Sequence, residues 1–105
     1  MNTVISTTKA PAAVGPYSQA IKAGNTVYCS GQIGLDPTTG TMVEGVIAQA
    51  NRAFDNLEAV LTQAGAKMTD VVKFTIFLTD INDFAQVNEV MASHVPTPYP
   101  ARSCM

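Results

Sequence analysis

The stretch from Val46 to Ala64 constrains the fold more than any other part of the chain. Ile47, Ala50, Phe54, Leu57, Leu61 and Ala64 recur there at steps of three and four residues. That spacing lays apolar side chains along one stripe of an α-helix. Gly65 stands where a left-handed residue terminates a helix. Asn51, Arg52, Asp55, Asn56, Glu58 and Gln63 occupy much of the remaining helix surface. Such a stripe must be buried against other elements, and 105 residues provide for one domain with one modest core.

The rest of the chain supplies partners for that stripe. Tyr17 to Gln32 reads as two strands joined at Ala23-Gly24-Asn25-Thr26, where Gly and Asn provide turn geometry. Alternation puts Val27 and Cys29 on one face of the second strand and Tyr28 and Ser30 on the other. Asp36-Pro37-Thr38-Thr39-Gly40 is a turn cluster. Val71 to Thr79 reads as a strand with Val72, Phe74, Ile76 and Leu78 on one face. Its other face is mixed and suits contact with another subunit. A second helix is expected from about Asp83 to His94, with Asp80 or Asn82 as N-cap and Phe84, Val87, Val90 or Met91, and His94 inward. Pro96, Pro98 and Pro100 end it and keep the chain extended. Ala101 to Met105 begins a strand with no pairing strand behind it, so its edge needs cover. The expected class is α+β: one domain over residues 1–105, with a mixed sheet and two helices on one of its faces.

Charge and composition remove several function classes. Apolar residues make up 47% of the chain and charged residues 13%, which excludes a disordered chain. The net charge is −2 and Lys or Arg never cluster, so no nucleic-acid footprint is visible. No apolar run reaches the length of a membrane span, and Met1 to Ile5 carries no signal-peptide pattern. With Cys29 and Cys104 far apart, the chain reads as cytoplasmic with reduced thiols. A lone histidine, His94, and the lack of paired cysteines argue against zinc. No phosphate-binding glycine loop appears, so no cofactor is expected.

A few residues are equipped for chemistry. Arg102 follows a proline-stiffened loop. Its guanidinium could hold a carboxylate through a planar donor fork, or it could sit in a surface ion pair. Cys104 would share its face in an extended chain and is either a thiolate nucleophile or a small buried hydrophobe. His94 lies on an apolar helix stripe and reads as a packed or capping residue. Tyr17 follows Gly15-Pro16, and Ser30 precedes Gly31-Gln32. Hydroxyls so flanked either meet a closely approaching ligand or bond nearby backbone. Asn88 lies mid-helix among apolar neighbours and needs a partner, structural or bound.

Together these motifs are more specific. Ala10-Pro11-Ala12-Ala13-Val14-Gly15-Pro16-Tyr17-Ser18-Gln19-Ala20 resembles the N-terminal signature of the Rid/YjgF family. Ser30-Gly31-Gln32-Ile33-Gly34 is similar to its second-strand motif. Gln49-Ala50 through Asn56-Leu57 is similar to its first helix. Asp80-Ile81-Asn82-Asp83-Phe84 with Val87-Asn88 is similar to its second. Tyr99-Pro100-Ala101-Arg102-Ser103-Cys104 resembles its late signature.

The resemblance implies a chorismate-mutase-like α+β fold and a homotrimer with ligand sites in clefts between subunits. It implies a cofactor-free hydrolase that converts enamine/imine acids of the 2-aminoacrylate and 2-iminobutyrate type to 2-keto acids and ammonia. By position, Arg102 would hold the substrate carboxylate and act as the catalytic residue. Tyr17, Ser30, Gly31 and Asn88 would line the cleft, and Cys104 would contribute wall and backbone contacts. Neither nucleic acid nor membrane is implied as partner. One departure stands out. Family chains continue past the Arg-Ser-Cys segment to a final strand whose glutamate positions the hydrolytic water, whereas Glu44, Glu58 and Glu89 are the only glutamates here and none matches it. A trimeric module that binds small carboxylic acids or a protein partner without turnover is therefore the alternative expectation. A nuclease or translation inhibitor, as described for some relatives, is a third, and the negative charge opposes it.

Overall fold

The computed structural model describes residues 2–105. In chain order the elements are β1 (Asn2–Ile5), β2 (Ala20–Ala23), β3 (Thr26–Cys29), α1 (Val46–Gln63), β4 (Lys73–Ile76), α2 (Phe84–His94) and β5 (Ala101–Cys104). Short 3-10 turns at Met68–Asp70 and Ile81–Asp83 precede β4 and α2. The mixed α+β architecture expected from the sequence is present. Its strands divide into an antiparallel sheet ordered β1-β2-β3 and a parallel pair of β4 and β5.

Local chemistry explains the boundaries. Gly24 takes φ 61° in the β2–β3 turn, the left-handed region open to glycine. Gly65 takes φ 80° one residue after the Ala64 cap of α1, where it ends the helix as its position suggested. The Asp80 carboxylate accepts from the backbone N–H of Asn82 at 2.9 Å and caps the turn that leads into α2.

α1 joins the two halves of the molecule by burying more than one face. Phe54 and Leu61 pack with Met68, Phe74, Val90, Met91 and Val95 from β4, α2 and their flanks. Val60 packs on another side with Ile5, Ala10 and Ala20 from the antiparallel sheet. Burial of each of the larger of these side chains, the alanines excepted, stabilises the fold by about 1.5–3 kcal/mol. The stripe read from sequence captured the first cluster and missed Val60, which is fully buried. Ile47, at the start of that stripe, is half exposed because α1 begins beyond the reach of both clusters.

Other expectations are corrected. Asn56, expected on the helix surface, is 0% exposed. Its amide donates to the carbonyls of Ile33 (3.2 Å) and Leu35 (2.9 Å), and its Oδ1 accepts from Arg52 Nε at 3.1 Å. A buried amide is tolerated when its groups are paired in this way. The same loop touches α1 at Gly34, where a Cβ would lie 2.6 Å from Gln49 Cα. The strand expected over Val71–Thr79 pairs as a ladder only over Lys73–Ile76, because β5 offers four residues to pair with. Val72, expected inward, is 80% exposed. β5 does not lack a partner: it pairs along one edge with β4, and Leu78 N–H donates to the Met105 carbonyl just beyond. β1 was not anticipated; its pairing with β2 fixes a segment with little sequence periodicity.

Candidate functional site

Arg102 stands opposite Phe74 in the β4–β5 register. Paired residues in a sheet point to the same face, so Arg102 follows the buried Phe74 towards the helices. α2 meets it there with Phe84, Asn88 and Met91, spaced at i, i+4 and i+7 along one helix face. Arg102 Nη1 donates to Asn88 Oδ1 and lies 3.8 Å from Met91 Sδ. Its guanidinium carbon sits 5.0 Å from the centroid of the Phe84 ring. An amide, a thioether and an aromatic face thus surround the cation, and none carries charge.

The ion-pair reading of Arg102 finds no support. Among the described residues the one ion-pair contact joins His94 Nδ1 and Asp55 Oδ1 at 3.8 Å. Arg102 remains solvent-accessible, with its full charge and the rest of its donor fork available to an anion. Asn88, which needed a partner, has Arg102. Cys104 is half-buried in β5, opposite Ile76. Phe84 and Met91 were read from sequence only as inward-facing helix positions. Their spacing to Asn88 was the signal that all three share a face with any group docked there.

A second group forms at the antiparallel sheet. Tyr17 is 50% exposed, and its hydroxyl accepts from Val14 N–H at 3.3 Å. The Ser30 hydroxyl donates to the Ser18 carbonyl at 2.6 Å, and Ser30 N–H donates to the Gln19 carbonyl at 3.0 Å. Gly31 is exposed beside it. Beneath them Gln19 is buried, a role the sequence reading missed. Its side chain donates to the carbonyls of Thr7 (3.0 Å) and Pro11 (2.8 Å) and accepts from Thr7 N–H at 2.7 Å. An open hollow here is lined by Ile5, Thr7, Ala10, Tyr17, Ser18 and Gln19 among others, and Arg102 and Asn88 are not part of it. Within one chain, then, the predicted site residues fall into two groups, and no hydrogen bond among the described residues joins them.

His94 is a packed residue. Its ring stacks on Phe54 with centroids 5.2 Å apart, and Nε2 lies 2.8 Å from Asn51 Oδ1. Cys29 and Cys104 are both free thiols. Cys29 is exposed as a residue, yet its thiol is held partly out of water, which raises its pKa above the ordinary value and works against a thiolate. Among the described residues no helix is long and apolar enough to cross a membrane.

Comparison with known proteins places this arrangement in context. The family described as Endoribonuclease L-PSP matches residues 7–105. A 2-iminobutanoate/2-iminopropanoate deaminase of Dermatophagoides farinae is 52% identical over 101 residues, covering 95% of this chain and 79% of that protein. The crystal structure of RidA from the Antarctic bacterium Psychrobacter sp. PAMC 21119 superposes with a TM-score of 0.96 at 53% identity, covering 98% of this chain and 84% of that one. E. coli TdcF with bound serine superposes with a TM-score of 0.91 at 41% identity, covering 98% of this chain and 84% of that one.

Proposed function

The chain belongs to the Endoribonuclease L-PSP family, also called YjgF/Rid, and on that premise we propose that it is an imine deaminase. Its substrates are small 2-imino and 2-enamino acids, hydrolysed to 2-keto acids and ammonia. The observation that carries this reading is Arg102: an accessible guanidinium held by Asn88, Met91 and Phe84, with no carboxylate neutralising it. A relative 52% identical bears the name of that activity, and the serine bound to TdcF is an amino acid with a carboxylate of the kind Arg102 suits.

The chemistry asks little of the protein. The imine carbon is electrophilic, so water adds to it directly. An enamine first tautomerises to the imine, losing its N–H proton and gaining one on carbon. In the tetrahedral carbinolamine the hydroxyl proton is lost to water as the nitrogen gains one, and the C–N bond breaks to release ammonia and leave the ketone. Arg102 anchors the carboxylate through two parallel N–H···O bonds, which fixes the carbon to be attacked and replaces diffusion by orientation. Asn88 holds the guanidinium in place. The Tyr17 hydroxyl, Ser30, the Gly31 backbone and the Cys104 segment form the walls.

The two groups of residues belong to one site when two copies of the chain meet. Tyr17, Ser30 and Gly31 of one copy then face Asn88, Arg102 and Cys104 of the next, in a homotrimer with three clefts. The outer sheet face supports such an assembly. Val4, Ile21 and Tyr28 stand side by side across β1, β2 and β3, and Val4 and Tyr28 are 63% and 66% exposed.

The test is 2-keto acid release from imine generated in situ by a pyridoxal-phosphate dehydratase, with and without this chain. Faster release in its presence is expected. Equal rates would defeat the deaminase reading. The alternative of a carboxylate-binding module, which the serine-bound relative favours, would then be examined by thermal stabilisation with serine.

A further inference from the structure

We infer that Phe84 is a positioning residue for Arg102: its ring is the platform that fixes the guanidinium so that its free edge meets the substrate carboxylate. This inference rests on the carboxylate-anchoring reading of Arg102 and adds the group that makes the anchor rigid.

An arginine at the end of a strand has four rotatable side-chain bonds and, without supports, would lose considerable entropy on binding a ligand. Supports that carry negative charge would hold it but would compete with the ligand. α2 offers neutral ones. Asn88 takes one N–H through its amide oxygen, and Met91 sulfur lies near the same nitrogen. Those two contacts pin a single corner of the group, about which the planar fork could still swing. The Phe84 ring, 5.0 Å from the guanidinium carbon, supplies a second, separate contact. Its negative quadrupole attracts the cation without neutralising it. Corner and ring together restrain the guanidinium at two separate points, and neither contact uses the Nε or Nη2 donors.

The placement of Phe84 suits this role. It opens α2, directly after the Ile81–Asp83 turn, and its backbone N–H donates to the Ile81 carbonyl, so it is held by the turn as well as by the helix. It is half-buried and lies outside both clusters of fully buried side chains. A purely structural phenylalanine would be expected inside one of them.

The experiment compares Phe84→Leu, Phe84→Tyr and the unmodified protein. The first readout is the Arg102 side-chain NMR signal, which needs no substrate. In the unmodified protein and in Phe84→Tyr it should be shifted by the ring current and well ordered. In Phe84→Leu the shift and the order should both be lost. The loss of the shift follows from removing the ring, so the order decides: an Arg102 side chain as well ordered in Phe84→Leu as in the unmodified protein overturns the inference whatever the activity shows. The second readout is the KM for the imine acid, expected to rise about 3- to 30-fold in Phe84→Leu and to return near the original value in Phe84→Tyr, with kcat changed less. A KM unaffected by Phe84→Leu in an active enzyme also overturns it. Absence of turnover in the unmodified protein would instead count against the deaminase reading, and the NMR result would still decide the role of Phe84. Equal melting temperatures for the three proteins exclude a folding defect as the cause.

Discussion

Individual residues divide here between those that hold the chain and those left free to act. Asn56 is the clearest of the first kind. It ties the loop after β3 to α1 through two carbonyls, and its removal takes the amide donor away from two part-buried carbonyls. Asn56→Ala should therefore cost about 1–3 kcal/mol, read as a lowered urea midpoint with activity retained in the folded fraction. A cost near zero would mean that water replaces the amide. Cys29 faces the α1 side with Ala20, and its thiol pKa is raised by desolvation. It should react with iodoacetamide at neutral pH more slowly than a free cysteine, as peptide mapping can measure. Arg102 is of the second kind, and the sequence singled it out as a candidate because a proline-stiffened loop delivers a fork-shaped cation. Asn56 and Gln19 were not legible in the same way. A polar side chain that bonds backbone carbonyls leaves no pattern in the sequence, since any carbonyl looks like any other.

At the scale of elements, the helices were easier to read than the strands. The stripe of α1 repeats a period over many residues before its stop at Gly65, and α2 has a capped turn ahead of it and a proline brake behind. β1, by contrast, is four residues with one buried side chain, and it exists because β2 supplies a ladder. β4 was expected to be longer, since sequence reports the propensity of a strand and not the length of its neighbour. The close approach of the loop at Gly34 to α1 also depends on tertiary packing. Gly34→Ala would press a methyl group into the backbone of α1 at Gln49, and the loop or the helix must move. A loss of about 1–3 kcal/mol is expected, seen as a lower melting temperature. Unchanged stability would show that the loop relaxes freely. α2 connects this scale to the candidate site, because one face of it carries Phe84, Asn88 and Met91 to Arg102.

At the scale of the whole molecule, α1 binds the antiparallel sheet to the β4–β5 half, and the two groups of candidate residues lie one in each half. The resemblance of ordered motifs made the family legible from sequence. The separation of the candidate residues into two groups was not, because motif order carries no distances. An assembly of three chains should sediment at three times the mass of one. Tyr28→Glu, placed in the apolar ladder with Val4 and Ile21, should dissociate it and lower turnover per chain. A trimer that survives this change would place the interface elsewhere. The most direct test of the account is the kcat/KM for imine hydrolysis in Arg102→Ala beside the unmodified chain. The account predicts a loss of at least about 100-fold, because a charge-assisted carboxylate pair disappears, with the melting temperature unchanged. An Arg102→Ala protein that hydrolyses the imine at the original rate would contradict it.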